Sequence, residues 1–228
     1  MGALLLLASV MTVRGWLIDH PQHDPWAPLE LWHPPGWATG SKLAALRDDV
    51  VACRAVLERG DVAFEVLPPI GDGQCLRNDR LALGGDMIAP AAPQMTCPVA
   101  TGLQLWLRHG VEPAARDLLG SPLARIEHLG TYSCRRIYGG ESGNWSEHST
   151  GNAIDIAAFV LEDGRRISVL SDWPKDGESE GEEAEFLRAV RDSACQMFGT
   201  VLSPDYNAAH ADHFHFDQEA RGFGGVCR

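Results

Sequence analysis

The sequence predicts an α+β fold, an antiparallel sheet with flanking helices. Three observations point there. β-Branched and aromatic residues concentrate between Leu123 and Leu170, in runs that break at Gly130 and turn at Asp163-Gly164. The segments on both sides of that stretch repeat their apolar residues every three or four positions, which is the helical period. The whole chain, 228 residues with 45% hydrophobic and 22% charged content, has the composition of one soluble globular domain with or without an appendage.

Taken in order, Gly2 to Val13 is almost uninterruptedly apolar, and a shorter run, Gly15 to Ile18, follows Arg14. At about 1.5 Å per residue, such a helix only just matches a hydrocarbon layer of about 30 Å. Neither a basic leader nor a small-residue cleavage site is clear. Residues 1–18 are therefore expected to be an N-terminal membrane anchor or signal-like segment, the rival being a buried helix. Residues 19–40, rich in Pro, Trp and His, read as a linker at a membrane face or over the domain. His20, His23 and His33 lie there among prolines and are read as surface residues.

The domain proper is expected over 41–228. Leu43, Leu46, Val50, Val51, Ala55 and Leu57 predict one amphipathic helix, or two joined at Asp48 and Asp49, with an end at Gly60. A short strand over 63–67 follows. Pro98 suits the first turn of a helix that opens at Cys97, shows Leu103, Leu105, Trp106 and Leu107 on its apolar face and ends at Gly110; 111–119 adds a further short helix. Leu123 to Tyr138 reads as two strands broken at Gly130, Ala153 to Leu161 as another, and Ile167 to Leu170 as the strand after the turn. Glu182 to Phe198 is helical. Acidic residues fill its first turn, where the helix dipole favours them, and Phe186, Leu187, Val190, Ala194 and Phe198 share a side.

A net charge of −12 argues against nucleic acid as a partner, because phosphate neutralisation requires clustered Lys and Arg and the dense charge run here, Asp176 to Glu185, is acidic. Six cysteines, at 53, 75, 97, 134, 195 and 227, contain no Cys-x-x-Cys pair. A disulfide framework in an oxidising compartment is the expectation, with Cys195 to Cys227 the leading pair because it ties the last helix to the tail.

Two segments hold polar groups that a core would not select. In the first, Ser146 to Asp155, a turn of small residues runs into an apolar strand, and alternation sends Asp155 to the face opposite Ile154 and Ile156. A covered, unpartnered carboxylate there costs several kcal/mol, and a metal is one solution. In the second, His210 to Asp217, alternation puts His213, His215 and Asp217 on one face and Phe214 and Phe216 on the other. His109 and His128, isolated among other residues, are read as ordinary structural histidines. Imidazoles plus a carboxylate with one position left for water fit zinc; calcium would want mostly oxygen.

The pattern Ser146-x-His148-x-x-Gly151-x-Ala153-x-Asp155, with Asp212-x-x-His215 inside His213-x-His215, resembles the zinc site of the LAS metallopeptidases (lysostaphin-type, D-Ala-D-Ala-cleaving and sonic-hedgehog-like proteins). The cysteines, Tyr132-Ser133-Cys134-Arg135, SEHSTGNAIDIAAF, HADHFHFD and the terminal Cys227-Arg228 together resemble the bacterial extensin-like C-terminal domain family over about residues 45–228. The resemblance implies a LAS, hedgehog/DD-peptidase-like zinc core with His148, Asp155 and His215 as ligands. It implies Asp212 as the acid/base carboxylate, a position where relatives more often carry Glu. Strand alternation puts Asp212 opposite His215 unless the chain bends before His213, which leaves His213 as rival base or orienter. His210 matches an extra histidine of some murein endopeptidases. Arg135, with Arg136 as fallback, matches the arginine that steadies an oxyanion, and Trp145 is a lid over the zinc or a substrate platform.

The implied activity is a zinc-dependent amidohydrolase or peptidase at the cell envelope, on the periplasmic face, anchored to the inner membrane by the N-terminal segment and cutting a peptide bond in peptidoglycan. The other reading is a non-catalytic zinc domain that binds peptidoglycan or another peptide.

Overall fold

The computed structural model describes residues 2–174, 181–221 and 225–228, so positions 176–180 of the acidic run lie outside it. The first helix, α1 (Gly2–Asp19), is followed by a Pro/Trp-rich segment that lies against the domain. Leu29 and Leu31 are buried in the core. The Leu31 carbonyl meets His109 Nε2 at 2.8 Å, Arg59 holds Glu30 at 2.8 Å and the Leu29 carbonyl at 3.1 Å, and the Arg108 guanidinium stacks on Trp32. Among the described residues no helix is long and apolar enough to cross a membrane.

The next helical stretch divides at the two aspartates. α2 (Thr39–Leu46) stops short of them, and Asp49 caps α3 (Val50–Arg59) by accepting the Ala52 N–H at 2.9 Å. Four short strands follow, β1 (Phe64–Val66), β2 (Leu81–Leu83), β3 (Ile88–Ala89) and β4 (Gln94–Met95); β1, β2 and β4 pair antiparallel as a small sheet. α4 (Cys97–Trp106) does not end at Gly110 as the sequence suggests. It continues through a π turn, Leu107–Val111, into α5 (Glu112–Leu119), which closes on left-handed Gly120. Gly110 owes its place to close packing instead: a Cβ there would collide with the Ser193 hydroxyl.

β5 (Leu123–Gly130), β6 (Ala153–Leu161), β7 (Arg166–Ser168), α6 (Val169–Asp172), α7 (Glu182–Ala194), β8 (Thr200–Leu202), β9 (Phe214–Asp217) and β10 (Val226–Cys227) complete the chain. The large sheet runs β10-β8-β9-β6-β5-β3, with β7 also on β6. The class is α+β, but the sheet is mixed: its centre is antiparallel, while β3 runs parallel to β5 and β10 parallel to β8. The strand expected after Gly130 does not form. Gly130, at φ 139°, leads the chain out of β5, and Cys134 is bonded to Cys75, so 131–152 becomes a long loop with an isolated bridge between Arg136 and Trp145. The expected strand over Ile167 to Leu170 is likewise cut short by α6, and the helix expected to reach Phe198 ends at Ala194.

The core fills one face of this sheet. Ile154 and Ile156 point into it; the register with β5 then shifts, so that Phe159 and Leu161 continue on the same side. Trp106 of α4 packs edge-on against Phe159 and Phe216 at 5.8 and 5.0 Å between ring centroids, and Phe186 of α7 meets Phe159 at 5.0 Å.

Three disulfides, Cys53–Cys97, Cys75–Cys134 and Cys195–Cys227, use all six cysteines. Mass mapping of unreduced peptides should recover these pairings. Serine at both 195 and 227 opens a link across 32 residues, and urea unfolding should show a loss of about 4 kcal/mol on the chain-entropy scale.

Candidate metal centre

The sheet face turned away from the core carries the polar groups. Asp155 on β6 and His215 on β9 are direct cross-strand partners, set between the pairs Ile154–Phe216 and Ile156–Phe214. The alternation that buries four apolar side chains on one face therefore delivers a carboxylate and an imidazole side by side on the other.

His148 comes from the loop. It sits in a 3-10 turn, Glu147–Ser149, that begins where the Ser146 hydroxyl accepts the His148 N–H at 3.3 Å. A chain of bonds fixes this turn to the start of α4. Thr96 donates its N–H to the Gly151 carbonyl at 3.0 Å and its hydroxyl to Asn152 Oδ1 at 2.9 Å, and Asn152 donates its amide to Glu147 Oε2 at 2.5 Å. Left-handed Gly151, at φ 75°, makes the turn into β6.

The result is a nearly equilateral triangle of donor atoms. His148 Nε2 lies 3.1 Å from Asp155 Oδ1 and 3.1 Å from His215 Nδ1, and His215 Nδ1 lies 3.0 Å from Asp155 Oδ1. Tetrahedral bonds of about 2.0–2.1 Å place ligand atoms about 3.3 Å apart, so the spacing suits a small cation such as zinc. The chemistry agrees. His215 Nε2 is engaged by Asp217 Oδ2 at 3.0 Å, which can hold a proton on that nitrogen and free the Nδ1 lone pair for a cation shared with His148 Nε2 and Asp155 Oδ1. One cation would satisfy all three.

Without a cation, hydrogen bonds between the same groups take its place. Burial raises the Asp155 carboxyl, but hydrogen bonds from His148 and His215, with their charges, outweigh it and hold the group far below the usual range. Burial lowers His215, but Asp155 and Asp217 overcome it and push it up to about 9. Burial, then the neighbouring His213 and His215, brings His210 down to about 4. Burial raises Glu147.

A cleft of about 300 Å³ opens over the triangle, lined among others by Arg135, Trp145, Tyr206, His210 and His213. Asp212 precedes β9 in a turn, so the chain does bend before His213. Its carboxylate accepts from His213 Nδ1 at 2.7 Å, and His213 Nε2 lies 3.7 Å from Asp155 Oδ1. Thus Asp212 touches His213 and not the triangle. Arg135 lines the cleft with a guanidinium unpaired among the described residues, whereas Arg136 lies over the Trp145 ring at 4.7 Å and donates to the Gly143 carbonyl. His210 Nδ1 meets Asn207 Oδ1 at 2.9 Å. His109 and His128 bond to backbone carbonyls elsewhere, and His20, His23 and His33 are remote in sequence and absent from this cluster. Sequence reasoning missed Asp217 as a partner of His215, although it placed both on one face. It also missed Glu147 and Asn207, whose roles depend on contacts outside their own strand.

The extensin-like protein C-terminus family model matches residues 51–228, and the chain belongs to that family. No curated protein and no solved structure matches it.

Two outcomes follow from this geometry. Asp217→Asn should weaken zinc binding about 10- to 100-fold, read by competition with a chromophoric chelator. In chelator-treated protein, His215, raised from 6.5 to about 9, stabilises the fold fully below pH 6.5 and loses that contribution as pH rises through about 9. Metal binding instead requires neutral imidazoles and strengthens with pH. The difference in melting temperature between zinc-loaded and chelated protein should therefore widen from pH 6 to pH 9.

Proposed function

We propose, with family membership as the premise, that this domain is a zinc-dependent amidohydrolase of the cell envelope, a LAS-type peptidase that cleaves a peptide bond in peptidoglycan. One observation carries the reading: three donor atoms converge beneath a cleft while the His213 imidazole stands beside them, outside the triangle. Three protein ligands leave a position for water or substrate, as catalytic zinc sites do and closed structural sites do not. When bound, the ion supplies Lewis-acid chemistry, polarising a carbonyl and making water more acidic.

The chain's own groups divide the remaining work. Asp212 keeps a hydrogen on His213 Nδ1, so Nε2 faces the cleft as an acceptor. His213 takes the proton from attacking water and hands it to the leaving amine. Asp212 is a positioning residue, which assigns the two rivals complementary roles. Arg135, whose guanidinium has no partner among the described residues, faces the charge that develops on the carbonyl oxygen. Trp145, braced by Arg136, walls the cleft, and His210, with Nδ1 held by Asn207, presents a neutral ring to substrate.

Support for the compartment comes from three disulfides, which persist where the surroundings are oxidising. The peptidoglycan substrate comes from the resemblance to murein peptidases. The experiment is digestion of purified murein by zinc-loaded protein, followed by mass spectrometry of the released peptides. His213→Ala should retain zinc and lose turnover by about a hundredfold or more. Asp212→Asn should also retain zinc, with a smaller loss and an altered pH profile. Zinc held tightly by four protein ligands with no cleavage of any murein peptide would instead mark a zinc-containing binding domain.

A further inference from the structure

We propose that α1 and the aromatic collar at its C-terminal end form a docking surface for a lipid bilayer, the helix lying in the apolar layer and the collar resting among the headgroups. The inference stands on the N-terminal segment and is independent of the reading of the cleft. It starts from a helix with no protected side. Leu4, Leu5, Leu6 and Leu7 are 75%, 66%, 69% and 61% exposed. At about 100° per residue, four consecutive positions go most of the way round a helix, so no face is turned to the domain. Val10, Met11 and Val13 continue the exposed apolar surface. A protein groove covers one face of a helix, whereas hydrocarbon covers every side.

The polar groups of the same stretch are satisfied within it. Ser9 donates its hydroxyl to the Leu5 carbonyl at 3.0 Å, and Thr12 donates to the Ala8 carbonyl at 2.9 Å, so neither hydroxyl depends on water.

At the C-terminal end of α1 the aromatic residues begin. The Trp16 ring stacks on His20 and His23 with centroids 4.5 and 5.2 Å apart and lies 5.7 Å from Trp37; His23 lies 4.6 Å from Trp37. Trp26 lines a groove with Val10, Val13, Arg14, Leu17 and Ile18. Trp26 and Trp37 are nonetheless 86% and 82% exposed. Indole combines an apolar ring with one N–H donor, which suits it to the boundary between hydrocarbon and water. The collar is also fixed to the domain: Lys42 Nζ donates to the Pro21 carbonyl at 2.7 Å, and the Trp37 N–H donates to His23 Nδ1 at 3.1 Å. With a chain charge of −12, with Asp24 lining the same groove as Arg14 and with Asp19 in the same segment, attraction to anionic lipid is not the driving force. Zwitterionic headgroups suffice.

The test is flotation of the full chain with phosphatidylcholine vesicles at 0.1 M and 1 M NaCl. The protein should float at both salt concentrations, and Trp fluorescence should be quenched by lipid brominated near the headgroup. Trp26→Ala combined with Trp37→Ala removes two exposed rings without touching the core. It should lower the vesicle partition coefficient about tenfold or more, with unchanged circular dichroism and urea midpoint. Full-length protein that remains at the bottom of the gradient, as a monomer or as lipid-free oligomers, overturns the proposal. Undiminished partition of the double variant overturns the role of the collar.

Discussion

The antiparallel pairing of β6 with β9 is the constraint on which both halves of this molecule depend. Its register puts Asp155 opposite His215 and, one step either side, Ile154 opposite Phe216 and Ile156 opposite Phe214. A slip of one residue in β9 would turn its phenylalanines out of the core and its histidine and aspartate into it. Trp106, Phe159 and Phe198, which pack on those phenylalanines, thus hold the polar face in place as well as the apolar one. Core packing and donor geometry are the two sides of one strand pair.

Much of this was legible in the chain. The alternation in HADHFHFD separates histidines from phenylalanines, and the placement of Asp155 between two isoleucines marks it as a group with a special partner. Other features depend on contacts between distant residues. The stretch after Gly130 has strand-like composition, yet the bond between Cys75 and Cys134 draws it into a loop. The parallel edges come from β3 and β10, two-residue strands whose neighbours are set by tertiary packing. Asp212 was ambiguous because its direction depends on where β9 starts, and a start at Phe214 frees it to meet His213. Gly110 reads as a helix end in sequence, but close packing against Ser193 explains it.

The triangle is also a point of local conflict. Two ring nitrogens and a carboxylate oxygen meet within 3.1 Å of each other on a largely buried surface, and Asp217 adds a second carboxylate behind His215. Protons or a cation must reconcile them. Structures tolerate such concentrations of polar groups where the surroundings fix the geometry, and here the surroundings are a sheet, a capped turn and the start of α4.

Two of the three converging donors are carried by the sheet, but His148 belongs to a loop whose far end is fastened to Cys75. Beside that fastening, the Ser133 N–H donates to the carbonyl of His148 itself at 3.0 Å. The Cys75–Cys134 bond thereby steadies the loop that carries the third donor. Without that disulfide the sheet-borne pair and the Thr96 bonds to the His148 turn would remain, while the Ser133 end of the loop would lose its covalent tie. Redox state thus bears on how firmly one corner of the triangle is held, while the other two corners rest on strand pairing that no thiol touches.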